Sequence, residues 1–212
     1  MRPLQTEIDA ATGIGVWPVI VENGAGVLWP HDGLNSTSEV YQQIRDTLQA
    51  LPANVAGFHG FGDMTAQEVA DRTGLPSAKA DLAKQRQFSE PGVWDGTSEG
   101  LQDFLSALAE HGLHARQGGR FLTLSFGQTK ADAMAELVKR YQPATTIALG
   151  DAPNDREMLE AADFGVIVRN PHAKPLPLLR GEDTGRIIRT QDSGPSGWAD
   201  AILSLLAGLT DR

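Results

Sequence analysis

The chain has 212 residues, enough for a core domain plus a smaller second one. It carries 18 Lys and Arg against 27 Asp and Glu, a net charge of −9, which argues against the basic footprint of a nucleic-acid binder and against attraction to an anionic membrane surface. It has no cysteine, which removes disulfides, thiolate metal sites and cysteine nucleophiles together. No apolar stretch approaches the ~20 residues of a membrane span, and the first seven residues lack the apolar centre of a signal peptide, so a soluble, cytoplasmic protein is expected.

Pro3 opens a helical pattern with Leu4, Ile8 and Ala11 on one face, stopped by Gly13 and Gly15. Trp17 to Val21 is an apolar run ended by the Asn23-Gly24 turn signal, with Ala25 to Trp29 as a returning hairpin strand. Residues 30–36 read as loop. Thr37 or Ser38 caps a helix with Val40, Ile44, Leu48 and Leu51 on its apolar face, ended by Pro52. Asn54 to Phe61 reads as a strand, and Thr65 with Glu68 makes a capping box for a short helix stopped by Gly74. Ser77 opens another helix. Arg86 to Trp94 is a strand candidate broken by Pro91, and Thr97 or Ser98 caps a helix running to His111. Leu113 to Gln117 and Arg120 to Phe126 are strands joined through Gly118-Gly119. These segments form an α+β module. From Thr129 onward the order is helix, strand, helix, strand, a Pro-rich loop, strand and helix, the signature of a parallel sheet with helices on its faces.

The sharpest chemical signal is Gly150-Asp151-Ala152-Pro153-Asn154-Asp155. Asp151 stands at the carboxyl end of an apolar strand, the edge where open α/β sheets bind ligands. A second carboxylate four residues on could share a hard cation such as Mg2+. Capping by Asn154 and the helix dipole would equally explain Asn154 and Asp155, but not Asp151. Lys130 sits in a first helical turn, where a cation opposes the dipole. A nearby anion would rationalise it, as would a solvated surface position. Arg86 and Arg120 fall on strand candidates, and their guanidinium groups suit carboxylate or phosphate, or simply one of the many surface acids. The five histidines show no metal-ligand spacing.

Taken in order, several stretches resemble the haloacid-dehalogenase-like (HAD) phosphatases, and within them the mannosyl-3-phosphoglycerate phosphatases. They are Val21 to Ala25, Gly62-Asp63-Met64-Thr65, Thr73 to Pro76, Arg86 to Pro91, Gly118-Gly119-Arg120-Phe121, Lys130, Gly150 to Asp155, Arg189-Thr190, Gly194-Pro195 and Gly197-Trp198. The resemblance implies a HAD-like α/β fold, a Rossmannoid parallel-sheet core formed by residues 1–52 and 127–212, with an α+β cap inserted at 53–126. It implies a Mg2+-dependent phosphomonoester hydrolase working through a phosphoaspartyl intermediate on a phosphorylated sugar-glycerate. Lys130 matches the lysine that offsets phosphoryl charge. Asp151 and Asp155 match the metal-site acids, with Asp155 orienting the lysine or the metal shell. Asn23, Arg86, Glu90, Gly119 and Arg120 are the implied substrate contacts. The family begins with a strand ending in Asp-x-Asp-Gly-Thr, and no Asp-x-Asp pair stands in these 212 residues. The nucleophile is therefore expected to be absent from the chain as given, together with the first core strands, leaving strand edges open to self-association. The alternative is a catalytically inactive HAD-like chain, a fragment or a paralogue, that binds an anionic ligand or a partner protein.

Overall fold

The structure, a computed structural model, describes residues 17–29, 38–52 and 56–210. The expected helix at 3–11, the 30–36 loop, Thr37 as a cap and the start of the Asn54 strand lie outside them. The chain divides into two compact units, Met1–Gln128 and Thr129–Arg212.

The first unit opens with the expected hairpin. Strand β1 (Val19–Val21) pairs antiparallel with β2 (Gly26–Leu28) in the register Val19↔Leu28. Helix α1 (Glu39–Ala50) follows, capped by the Ser38 side chain, which accepts from the Tyr41 amide at 3.1 Å. Helix α2 (Ala66–Thr73) begins in the Thr65–Glu68 capping box and stops at Gly74, whose φ of +77° a residue with a side chain rarely adopts. Helix α3 (Ser77–Lys84) and helix α4 (Ser98–Glu110), capped by Thr97, follow. The sheet contains β3 (Phe58–Gly60), β4 (Glu90–Trp94), β5 (His114–Gly118) and β6 (Phe121–Ser125) in the order β3-β4-β6-β5, all antiparallel.

Alternation along these strands divides the side chains between two faces. Leu122 and Leu124 point to one face and bury against Ile44 of α1 and Phe104 and Leu108 of α4. There the rings of Phe58 and Trp94 stack on Phe104 at 5.5 and 5.1 Å. Val93 and Phe121 point to the other face and pack with Phe61, Val69 and Ala80 beneath α2 and α3.

Two expected strands need correcting here. Residues 86–89 are loop, and Pro91 does not break β4 but lies within it. Pro91 precedes the first position paired with β3, Gly92↔Gly60, where a missing amide hydrogen is tolerated. Arg120 is not on a strand. It sits with Gly119 (φ +61°) in the two-residue turn between β5 and β6.

The second unit is the expected α/β layer. Helix α5 (Lys130–Tyr141) starts in a Thr129–Asp132 capping box, as its sequence reads. Strands β7 (Ile147–Gly150), β8 (Phe164–Arg169) and β9 (Ile187–Ser193) are parallel neighbours in that order. A 3-10 turn at Pro153–Asp155 leads into helix α6 (Arg156–Ala161), and helix α7 (Gly194–Thr210) closes the chain. The core joins Ala148, Leu159, Ile167 and Ile187 with Leu176 and Leu179 from the Pro-rich connection. Among the described residues β7 pairs with β8 alone, and no helix is long and apolar enough to cross a membrane.

Candidate active site

The carboxyl ends of β7, β8 and β9 frame a cleft of about 720 Å3, lined by Gly150, Asp151, Asn170, His172, Ser193 and Trp198 among others. This is the sheet edge where the sequence places its ligand chemistry.

Beside it, Asp155 organises three groups. Its carboxylate is buried, 4% exposed. Oδ1 accepts from Lys130 Nζ at 2.5 Å, and Oδ2 accepts from the backbone N–H groups of Asp151 and Ala152, each at 3.0 Å. The chain is shaped for this: a Cβ on Gly150 would fall 2.3 Å from Asp155 Cβ, so only glycine lets the acid fold back under the strand end. Lys130 projects from the first turn of α5, and Asp155 is the anion that offsets its conflict with the helix dipole. Asp151 follows β7, and its Oδ2 accepts from Asn170 Nδ2 at 2.6 Å. Asn170 is itself held, its Oδ1 accepting from the His172 amide at 2.9 Å. Lys130, Asp151 and Asp155 therefore form one constellation. Asp155, read as a metal ligand, has both oxygens committed to the lysine and to backbone amides. Sequence reasoning missed Asn170. Its only signal is a position just past the carboxyl end of β8, one strand over from Asp151.

The expected substrate contacts separate. Asn23 and Arg86 line a second cleft, wholly within the first unit and about 240 Å3 in volume, together with Glu22, Ser89, Arg116 and Ser125. Arg116 was not singled out by sequence. Gly119 and Arg120 do not line it. The Arg120 guanidinium lies 5.4 Å from the Phe121 ring centroid, a cation–π contact at the exposed turn.

Glu90, a substrate contact by resemblance, is buried, 0% exposed, and its carboxylate is taken up by neighbours of the first unit. Tyr41 Oη and the Gly62 amide each donate to it at 2.7 Å, and Arg45 Nη1 lies 3.5 Å away while also pairing with Asp63. Burial pushes the Glu90 carboxyl above its ordinary range, and the Tyr41, Gly62 and Arg45 contacts only partly offset that. The same burial, with Glu90 alongside, raises the Tyr41 hydroxyl. The Arg45 hydrogen bond holds Asp63 below the usual carboxylate range. Glu90 joins α1, the Gly62 turn and β4 as a structural knot.

Comparison with known proteins gives the family and the fold. Residues 97–175 match the haloacid dehalogenase-like hydrolase family. A glucosyl-3-phosphoglycerate/mannosyl-3-phosphoglycerate phosphatase from Persephonella marina is 30% identical over 209 residues, covering 89% of this chain and 76% of that one. Among solved structures, one from Thermotoga maritima superposes with a TM-score of 0.58 at 16% identity, covering 95% of this chain and 81% of its own. A haloacid dehalogenase-like hydrolase from Bacteroides thetaiotaomicron gives 0.55 at 16% identity, over 94% and 81%. The solved structures share the fold. The Persephonella marina relative carries the family, and the chain belongs to the haloacid-dehalogenase-like phosphatases.

Proposed function

We propose that this chain is the Lys130–Asp151–Asp155 half of a Mg2+-dependent phosphatase whose substrate is a phosphorylated sugar-glycerate such as mannosyl-3-phosphoglycerate. The observation that carries the reading is Lys130 fixed by buried Asp155 at the carboxyl end of β7, beside Asp151. A held lysine is a ready counter-charge for a phosphoryl group. Asp155 acts as its orienting group, since both of its oxygens are already committed. The substrate class comes from the Persephonella marina relative, and residues 53–126 are proposed as the cap that selects it.

The residues present suit Mg2+ only in part. Asp151 is the carboxylate with room for a cation, and among the described residues no three His, Asp or Glu side chains converge on one point. That set fits an ion completed by waters and substrate phosphate, the usual habit of Mg2+, rather than a protein cage. When bound, the ion would offset phosphoryl charge. Asn170 keeps Asp151 in place, and Lys130 meets the phosphate. The covalent step needs an aspartate nucleophile, and these 212 residues hold no Asp-x-Asp pair. That observation favours a second reading, a chain that binds the anionic ligand without turning it over.

One assay separates the two. The 212-residue chain, and the same chain with an Asp-x-Asp-Gly-Thr strand–helix–strand segment placed ahead of Met1, are given mannosyl-3-phosphoglycerate and Mg2+. Phosphate release by the extended chain alone is expected. Release by neither, with the ligand still bound, supports the second reading. Release by the 212 residues alone would place the nucleophile among their own acids.

A further inference from the structure

We propose that Trp198 is the platform for a pyranose ring in the cleft at the carboxyl ends of β7, β8 and β9, and so a residue that decides which phosphorylated acids this chain holds. That the ring belongs to a sugar-glycerate rests on the function proposed above. The platform itself is built from residues of the second unit alone.

The setting of Trp198 follows from how α7 begins. Gly197 and Ala201, one helical turn apart, are the buried positions of its first turns. A Cβ on Gly197 would run into the Asp192 carbonyl and the Thr190 hydroxyl, so glycine lets this turn lie down on the end of β9. That end is itself fixed. Thr190 Oγ1 accepts from the Arg169 amide at 2.9 Å and donates to the Asp192 carbonyl at 2.6 Å, and Arg169 Nη1 donates to the Gln191 carbonyl at 3.1 Å. Trp198 comes next, turned ~100° around the helix from Gly197. The contact with the sheet is made by the two small residues, and the indole is left 50% exposed at the wall of the cleft.

The chemistry of the wall fits a sugar. Pro171 and Pro195 add rigid apolar surface beside the indole. Among the described residues, Trp198 Nε1, the His172 ring and the Ser193 hydroxyl make no hydrogen bond, and all three residues line the cleft. An apolar wall with a few free polar groups is the usual make-up of a small-molecule site. A pyranose has a face of polarised C–H bonds to lie on the electron-rich indole and hydroxyls at its rim for the free donors. The indole is also large and stiff, so ordering it against a ring costs little entropy. The spacing fits as well. Asp151 follows β7 and Trp198 follows β9, with β8 between them. Two strand spacings come to ~10 Å, a gap that a three-carbon acid bridges between a phosphate beside Asp151 and a sugar on Trp198. The volume, about 720 Å3, lies within the ~300–1,000 Å3 of ligand pockets and takes both ends at once. Leu203 and Leu206, also exposed on α7, do not line the cleft and are no part of the platform.

The test titrates the 212-residue chain calorimetrically, in Mg2+, with two probes: mannosyl-3-phosphoglycerate, and 3-phosphoglycerate, the same phosphorylated acid without its sugar. The wild type is expected to bind the first more tightly. Trp198→Ala should weaken the first about tenfold and leave the second unchanged. Trp198→Phe, which keeps a ring but not the indole N–H, should lose less. The wild-type indole fluorescence should shift with the first probe, and the shift should be missing in Trp198→Phe. Unfolding transitions confirm that each variant is folded. Unchanged affinity for the sugar-bearing probe in Trp198→Ala, an equal loss for both probes, or equal wild-type affinity for the two overturns the platform. So does a change in sedimentation of Trp198→Ala with both affinities intact, which would assign the indole to a contact between chains. Lys130→Ala separates this inference from the reading beneath it. If it weakens both probes while Trp198→Ala weakens neither, the platform falls and the phosphatase reading stands. If the wild type binds neither probe, both fall.

Discussion

Asp155 and Glu90 are buried carboxylates in different units, 4% and 0% exposed, and each accepts backbone N–H hydrogen bonds beside a cation. They differ in what the cation can do next. Lys130 keeps a quarter of its side chain exposed and stands beside a cleft-lining acid, Asp151. Arg45 is turned between Glu90 and Asp63 and is used up there. Tyr41 occupies the other Glu90 oxygen. The Asp155 partner is left beside a cleft, whereas every partner of Glu90 is consumed. The family resemblance implies a site role for both acids.

The largest effect that would break this contrast is on stability. Glu90→Ala empties a fully buried position and takes the acceptor from the half-buried Tyr41 hydroxyl and from the Gly62 amide, and it should cost ~3–5 kcal/mol of unfolding free energy. Chemical denaturation measures this, and ligand affinity in the folded fraction should be unchanged. A stable Glu90→Ala variant that loses ligand would return Glu90 to the substrate site. Next in size is Asn170→Ala. Removing the group that holds a metal-binding carboxylate commonly weakens the site 10–100-fold. The predicted change is in the affinity for phosphorylated ligand measured with Mg2+, with the melting temperature nearly constant.

The smallest effect sharpens the knot by its pH dependence. The folded state raises the Glu90 carboxyl above its unfolded value of about 4.5. Folding then favours the protonated form, so the stability Glu90 contributes is full below that value and declines as pH rises through the raised one. Glu90→Gln mimics the protonated acid. The stability difference between wild type and Glu90→Gln should therefore shift against the wild type as pH climbs above about 4.5. The opposite slope would mean that the Tyr41, Gly62 and Arg45 contacts outweigh desolvation.

Local chemistry was legible in the sequence wherever a few neighbouring residues decide it. Thr65 with Glu68 and Thr129 with Asp132 make the helix starts they spell. Asn23-Gly24 makes the turn of its hairpin, and the Gly150 to Asp155 run puts its acids at the end of a parallel strand. Legibility fails where distant segments meet. Arg86 owes its setting to Glu22, more than sixty residues earlier. Glu90 is closed in by α1, which no spacing around Glu90 announces. Arg120 and Arg116 flank the same Gly118-Gly119 pair and look alike in a string. A two-residue turn sends the first to an exposed tip, and strand alternation sends the second onto the open face.

The central claim is that Lys130, held by Asp155, meets a phosphoryl group. Its most direct measurement is a calorimetric titration of wild type and Lys130→Ala with mannosyl-3-phosphoglycerate in Mg2+. The wild type is expected to bind, with an affinity at least about tenfold weaker in Lys130→Ala, since a charge-assisted bond to phosphate is lost from a sheltered site. Equal affinity in the two proteins would contradict it.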